Sequence, residues 1–412
     1  MKILMLSSTF PYPPSRGGTQ VRTFNLLKYL SRRHNVILGT VRSPDVTDAQ
    51  IDALQQHVAK LAVFETPIAV STGIGGKFHR FSQFLLSGTP PNVLSSYSIA
   101  MQNWADELVA SGQCDAVTCE HSVNEIYVRP EWRQKLLTVA NIHSSVWGTC
   151  REMLATGTSQ KPLRDRLNLP LLARYETRYC SKFSRIVATT STDKQQLLEL
   201  LSPQRRGRED LFVPTIDVIP NGVDLVEFPY RSIDPGGHTL IFAGAMNNLP
   251  NIDAAQFLSL QILPLLQQRY PDSTLTLVGT SPVPSVLALG KLPGIQVVGR
   301  VQRVAEYLHQ AAVCVVPMRI GFGIKNKTLE AMAAGTPVVA SDRGLEGLAV
   351  DGDSQPTRAL RANKVQEYVE AISSLFENQQ LRQELSLSAR SLVETEYTWD
   401  IIGRQYDRLL QF

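Results

Sequence analysis

The chain has 412 residues, 43% hydrophobic and 19% charged, with a formal net charge of +4. That length predicts two or three domains, and the balance is that of a soluble globular protein that neither demands nor excludes an anionic partner. No run approaches 18 apolar residues, which excludes a transmembrane helix from the expectation. The five cysteines are scattered and show no CxxC spacing, which argues against a disulfide framework or a zinc site and for a reducing compartment.

In chain order, "KILMLSS" predicts a first buried strand rather than a signal peptide, since its apolar run is short and no cleavage-like site follows. "GGTQVRTFNLLKYLSRR" predicts a helix and "NVILGTV" a second strand. "DAVTCE", "LLTVANI" and "RIVATTS" are later strand candidates. Such alternation predicts a parallel sheet covered on both faces. Residues 214–236 then read as a linker rich in turn formers, including Pro220-Asn221-Gly222 and Pro235-Gly236-Gly237. The pattern restarts with "TLIFAGA", "STLTLVG", "IQVVGRV", "AVCVVPM" and "TPVVASD", and an amphipathic helical tail closes the chain. The fold class predicted is α/β with two parallel-sheet domains. Ligands of such sheets bind beyond the carboxyl ends of the strands, so a cleft between the domains is the expected site.

Two stretches carry chemistry. Gly17-Gly18 stands where the first strand meets the first helix. There, glycines let backbone amides approach an anion at a helix N-terminus; a plain tight turn explains them equally well, and no GxGxxG fingerprint is present. The stretch "GFGIKNKTLEAMAAG" is richer. It reads as a loop through Lys327 and then a helix, with Glu330 in the first turn. Gly321 and Gly323 can expose amides, Lys325 and Lys327 can meet phosphate oxygens, and Glu330 can accept two vicinal ribose hydroxyls. Capping by the carboxylate with two solvated lysines is the bland alternative. The apolar neighbours Leu329, Ala331 and Met332 favour burial and a nucleoside diphosphate.

Other candidates are weaker. His143 follows a strand and can reach a sugar hydroxyl or sit as a satisfied loop histidine; His121 has similar placement. Ser191 reads as an N-cap. "KFHRFSQFLLS" is an amphipathic stretch that either packs on its own domain or touches a membrane. Asp351-Gly-Asp353 resembles a metal-binding DxD but reads better as a turn, so no metal is assigned.

Taken together, "KILMLSSTFPYPPSRGGTQVRTFNLLKYLSRRHNVIL", "VIPNGVDLVEF", "GIKNKTLEAMAAGTPVVASDRGLEGL" and "YTWDIIGRQYDRLL" resemble, in order, segments of the retaining glycosyltransferases of family four, which have the GT-B fold. The resemblance implies two Rossmann-like domains, residues 1–222 on the acceptor side and 223–395 on the donor side, with a C-terminal helix, 396–412, crossing back to the first. It implies transfer of a sugar from a nucleotide donor with retention, without metal or cofactor. Glu330 then holds the donor ribose, Gly17 and Gly18 lie near the diphosphate and sugar, His143 contacts the transferred sugar, and backbone at Gly299, Arg300 and Val301 holds the base.

The chain departs from the family pattern twice. Phe322 stands where the family usually has a sugar-binding glutamate, so the backbone of Gly321, Gly323 and Ile324 is left to serve there. The loop "GAMNNLPNID" lacks the usual cations, so Lys325, Lys327 and Arg319 are expected to neutralise the diphosphate.

The function expected is glycosyl transfer to a glycan, lipid-linked or small-molecule acceptor, in cell-surface or exopolysaccharide synthesis. The partners expected are the nucleotide-sugar donor and that acceptor, with no nucleic acid, in the cytoplasm and with a peripheral contact at the inner membrane face as an open option. A sugar-nucleotide 2-epimerase or a non-catalytic nucleotide-sugar-binding protein are the rival readings, and an NAD-dependent oxidoreductase a distant one.

Overall fold

Runs of β-branched residues bounded by turn formers become two separate parallel sheets. The computed structural model describes residues 1–14, 17–66, 84–85, 88–202, 212–351 and 356–411. Contacts divide the chain into one unit of Met1–Pro220 with Gly403–Phe412, and another of Asn221–Ile402.

The first unit holds strands β1 (Lys2–Ser7), β2 (Asn35–Arg42), β3 (Lys60–Glu65), β4 (Ala116–Glu120), β5 (Leu137–Asn141), β6 (Arg185–Ala188) and β7 (Thr215–Val218). Their order is β3-β2-β1-β4-β5-β6-β7, and every pairing is parallel. Ile3, Leu4, Met5 and Leu6 are fully buried, as a strand covered on both faces requires. The strand order reverses between β1 and β4, which makes their carboxyl ends the topological switch point of this sheet. Past β1, the helix Gly18–Leu30 starts from Gly17.

The second unit repeats the plan with β8 (Thr239–Ala243), β9 (Thr274–Val278), β10 (Ile295–Val298), β11 (Val313–Val316), β12 (Val338–Ala340) and β13 (Leu360–Arg361). The order is β10-β9-β8-β11-β12-β13, again parallel throughout. The switch point lies between β8 and β11. All four residues of β11 are buried, and each such valine contributes about 1.5–3 kcal/mol of apolar burial. Between Leu249–Phe257 and Leu263–Arg269 the helix widens to a π-turn over Leu258–Ile262. Pro264, which lacks an N–H for the normal ladder, stands just after it.

Several boundaries differ from expectation. The predicted linker takes in the whole of β7, because Thr215, Ile216, Asp217 and Val218 pair with β6 before the Pro220 turn. The tail is two helices, Gln379–Glu396 and Trp399–Leu410. Residues 397 and 398 still bond to Val223 of the second unit, and Gly403, which faces the Tyr29 ring, begins the part belonging to the first. Ser191 is not the N-cap it was read as: Thr190 accepts from the Asp193 amide, so Ser191 is the first helical residue. Of "KFHRFSQFLLS", only Phe84 and Leu85 are among the described residues. Among the described residues no helix is long and apolar enough to cross a membrane.

Candidate functional site

In the second unit, chemistry gathers at the switch point. The chain leaves β11, turns through Gly321 at φ 93° and Gly323 at φ 78°, and enters the helix Asn326–Ala334. Both glycine conformations are ones that side chains rarely adopt. The helix starts two residues earlier than the sequence suggested, because Lys325 takes the extended N-cap conformation. Lys327 is therefore helical, and Glu330 lies in the second turn rather than the first.

Lys327 points back to the end of β8. Its Nζ donates to Asn251 Oδ1 at 2.5 Å and lies 4.4 Å from the centre of the Phe242 ring. Gly244 makes room: a Cβ there would lie 2.7 Å from Lys327 Nζ and 2.8 Å from Asn251 Nδ2. Gly279, past β9, is needed for the same turn, since its Cβ would lie 1.7 Å from the Gly244 carbonyl oxygen. Burial pushes the Lys327 ammonium down to about 7, with Glu330 opposing and Lys325 reinforcing the shift. Burial pushes the Glu330 carboxyl up to about 7, opposed by Lys327. The two are one helical turn apart, so near neutral pH the pair is poised between charged and neutral forms.

The other predicted cations have protein partners. Lys325 is buried, with its Nζ donating to the Gly323 carbonyl and standing 3.7 Å from Glu346. It tightens the glycine loop on itself. Arg319 forms a two-pronged pair with Asp253 at 2.5 and 3.0 Å, over the Phe257 ring. Phe322 lies under the Arg343 guanidinium at 4.4 Å, and Ile324 is buried in the core. Beyond β10, Gly299 has open space above its Cα, Arg300 is exposed and Val301 packs partly on the core. The structure thus brings Lys327 and Glu330 together and leaves Arg319 and Lys325 engaged elsewhere.

In the first unit, the switch point carries a histidine pair. His121 follows β4 and His143 follows β5, with ring centroids 5.0 Å apart. His143 Nε2 is buried without a hydrogen-bond partner among the described residues, and burial holds its pKa well below 6.5, with His121 and Arg22 adding to the shift. Beneath lies a buried polar network: Arg22 donates to Asn141 Oδ1 at 2.9 Å and to the carbonyls of Ile219 and Pro220 at 2.9 and 2.7 Å. Asn141 in turn donates to Glu120 at 2.7 Å. Gly17 and Gly18 open the neighbouring helix, and Gly18 has nothing within 4 Å of a Cβ position.

Sequence reasoning missed Phe242, Gly244, Asn251, Gly279 and Arg22. The "GAMNNLPNID" loop lacks cations, but its asparagine and glycine supply the cradle for a lysine that arrives from β11. Asp351 is held by Arg361 at 2.8 and 2.9 Å, while residues 352–355, with Asp353, lie outside the described residues. Among the described residues no three histidine, cysteine, aspartate or glutamate side chains cluster as a metal would need.

Residues 16–227 match the model of "Glycosyltransferase Family 4", and residues 237–378 that of "Glycosyl transferases group 1". A phosphatidyl-myo-inositol mannosyltransferase of Mycolicibacterium smegmatis is 30% identical over 202 residues, 47% of this chain and 51% of that one. The chain thus spans about half the length of the curated relatives it matches. Among solved structures, a sucrose-phosphate synthase of Thermosynechococcus elongatus superposes with a TM-score of 0.70 at 17% identity, covering 100% of this chain and 98% of that one. The Anabaena protein HepE, in complex with UDP, superposes with a TM-score of 0.66 at 15% identity, covering 100% of both. These two share the GT-B fold seen here as two Rossmann-like parallel sheets.

Proposed function

The chain belongs to glycosyltransferase family 4, and from that premise we propose that it transfers a sugar from a nucleoside diphosphate donor to a glycan or lipid-linked acceptor, with retention at the anomeric carbon. The observation that carries the reading is the half-buried Lys327–Glu330 pair at a strand-order reversal, behind a loop with two left-handed glycines. Such a place suits a diphosphate, for which the fold supplies amides and a cation.

Lys327 is assigned to the diphosphate and Glu330 to the ribose hydroxyls. Backbone at Gly299, Arg300 and Val301 is assigned to the base, and the amides around Gly321, Phe322 and Gly323 to the sugar and phosphates. Lys325 supports from behind the loop, and Arg319 acts through its pair with Asp253. From the first unit, Gly17 and Gly18 serve the diphosphate and His143 a hydroxyl of the transferred sugar. The leaving group gathers negative charge as the glycosidic bond breaks, and fixed donors stabilise it without reorganising. The transition state is oxocarbenium-like. The acceptor attacks from the face the diphosphate leaves, and a phosphate oxygen takes its proton. No metal or cofactor takes part. HepE's complex with UDP supports a uridine donor as the first to test, with guanosine donors next. A lipid acceptor is the class suggested by the relative's name, a phosphatidyl-myo-inositol mannosyltransferase.

A second reading, nucleotide-sugar binding without turnover, is favoured by one observation: Phe322, covered by Arg343, stands where a sugar-binding carboxylate is usual. A panel of nucleotide sugars decides. Slow donor hydrolysis by the wild type, lost in Lys327→Ala, supports transfer. Tight binding without hydrolysis or transfer supports the second reading, and absence of any binding overturns both.

A further inference from the structure

His121 occupies a backbone conformation that suits glycine. Its φ is 85° and its ψ 144°, and among the described residues only Ser281 is another non-glycine with positive φ. An L side chain in that region is strained, and the strain persists only where surroundings over-determine it. Here the backbone N–H donates to the Asn141 carbonyl at 2.8 Å, and the ring's Nδ1 accepts from the Val123 amide at 3.4 Å. A glycine would satisfy the turn without strain, so the imidazole itself is what the position retains.

That imidazole faces one group in particular. Its centroid is 5.0 Å from that of His143, with the rings inclined at 46°. Because His121 Nδ1 is an acceptor, the neutral ring carries its proton on Nε2. His143 is fixed from behind, where its carbonyl accepts from Thr189 Oγ1 at 3.0 Å. Its Nε2 is buried and has no hydrogen-bond partner among the described residues. The charged group that acts on His143 is Arg22, from the helix Gly18–Leu30; Glu120 precedes His121 at the end of β4, and Asp193 accepts from the Ser145 amide. Arg22 opposes a second positive charge here, whereas Glu120 already accepts from Asn141.

We infer that His121 is a positioning residue for His143, fixing its ring orientation and its neutral, single-tautomer form so that Nε2 is offered to a ligand hydroxyl. Burial disfavours the charged form of both rings, and at His143 the neighbouring His121 adds to that effect. The inference rests on reading His143 as a contact of the transferred sugar, but its effect on His143 is measurable without any substrate.

The experiment uses the full chain with 15N-labelled histidine, as wild type, His121→Gly and His121→Asn. Glycine suits the φ and asparagine tolerates it, so at least one variant keeps the fold. His143→Gln assigns the His143 signals. In the wild type, His143 should show one neutral tautomer well below pH 6.5. In both variants its titration midpoint should rise toward 6.5, with averaged nitrogen shifts. The acid limb of the turnover profile should move with it, by about tenfold in rate at pH 5.5 if the midpoint reaches 6.5, while nucleoside diphosphate affinity stays unchanged. If the His143 nitrogens titrate alike in all three proteins, the inference is overturned, whatever the activities. If the wild type performs no transfer but the titration shifts as stated, the functional reading fails and the pairing stands.

Discussion

Replacing Lys327 with methionine should make the protein more stable and its donor binding worse. The ammonium is half-buried against Phe242, and its pKa falls from 10.5 to about 7. At 1.36 kcal/mol per unit the shift corresponds to roughly 5 kcal/mol of charge burial. Partial exposure reduces that to about 2–3 kcal/mol. Losing the bond to Asn251 costs about 1 kcal/mol, which leaves a net gain of about 1–2 kcal/mol. For a unit of this size that is a rise of about 2–8 °C in melting temperature.

The pH dependence has a definite sign. A base whose folded pKa is depressed binds fewer protons folded than unfolded, so stability climbs with pH between about 7 and 10.5. The variant's advantage is therefore largest at or below pH 7 and gone near pH 10.5. Donor affinity moves the other way: losing one charge-assisted contact worth about 1.5–3 kcal/mol weakens nucleoside diphosphate binding roughly 10- to 100-fold. Differential scanning calorimetry across pH and titration calorimetry with UDP and GDP read both. A variant that melts lower and binds either nucleotide as the wild type does would refute the reasoning.

Glu330→Gln should lose the preference for ribo- over 2′,3′-dideoxy-nucleoside diphosphates, and its stability advantage should appear as pH rises from 4.5 through about 7, because the wild-type carboxyl titrates late. A preserved preference in competition binding rules out the ribose assignment. Gly244→Ala should fold but bind nucleotide about tenfold more weakly, since its Cβ meets only the movable ends of Lys327 and Asn251; Gly279→Ala, whose Cβ meets backbone, should not yield folded protein, and comparing the two by circular dichroism checks the distinction. Arg22→Met should cost about 3–5 kcal/mol in urea unfolding, because three acceptors, two of them fully buried, lose a charged donor; a loss under 1 kcal/mol would show that the network is dispensable.

Most strands were legible because buried parallel strands are short runs of Val, Ile and Leu. β3, β7 and β13 were not: β3 is only partly buried at the sheet edge, "TIDV" runs straight into "IPNG" and takes its strand character from β6, and β13 is two residues long. The loop Gly321–Lys325 and Glu330 were legible because their chemistry is contiguous in sequence. What they do was only half legible. Whether a lysine faces a ligand or a protein carboxylate depends on residues brought from elsewhere, such as Glu346 beside Lys325 and Asp253 beside Arg319. The strain at His121 left no composition signal at all; only the backbone angle discloses it.

Arg22 and Lys327 illustrate how structure and function divide. Arg22 is wholly buried and directs three N–H groups at good acceptors: an amide oxygen and two carbonyls. It is satisfied by protein and its removal is a loss of stability. Among the described residues Lys327 Nζ donates to one oxygen, that of Asn251, beside a ring face and the Met318 sulfur at 4.0 Å, with the Glu330 carboxylate one helical turn away. A thioether and a ring compensate a buried ammonium poorly. The cost is retained at the strand-order reversal, behind glycines that expose backbone. On the proposed function, an anion with several oxygens would supply further acceptors, and its binding should draw a proton onto Lys327. The uptake, near half a proton per nucleotide at pH 7, is measurable as a buffer-dependent heat of binding, and a heat that does not vary with buffer would remove Lys327 from the diphosphate.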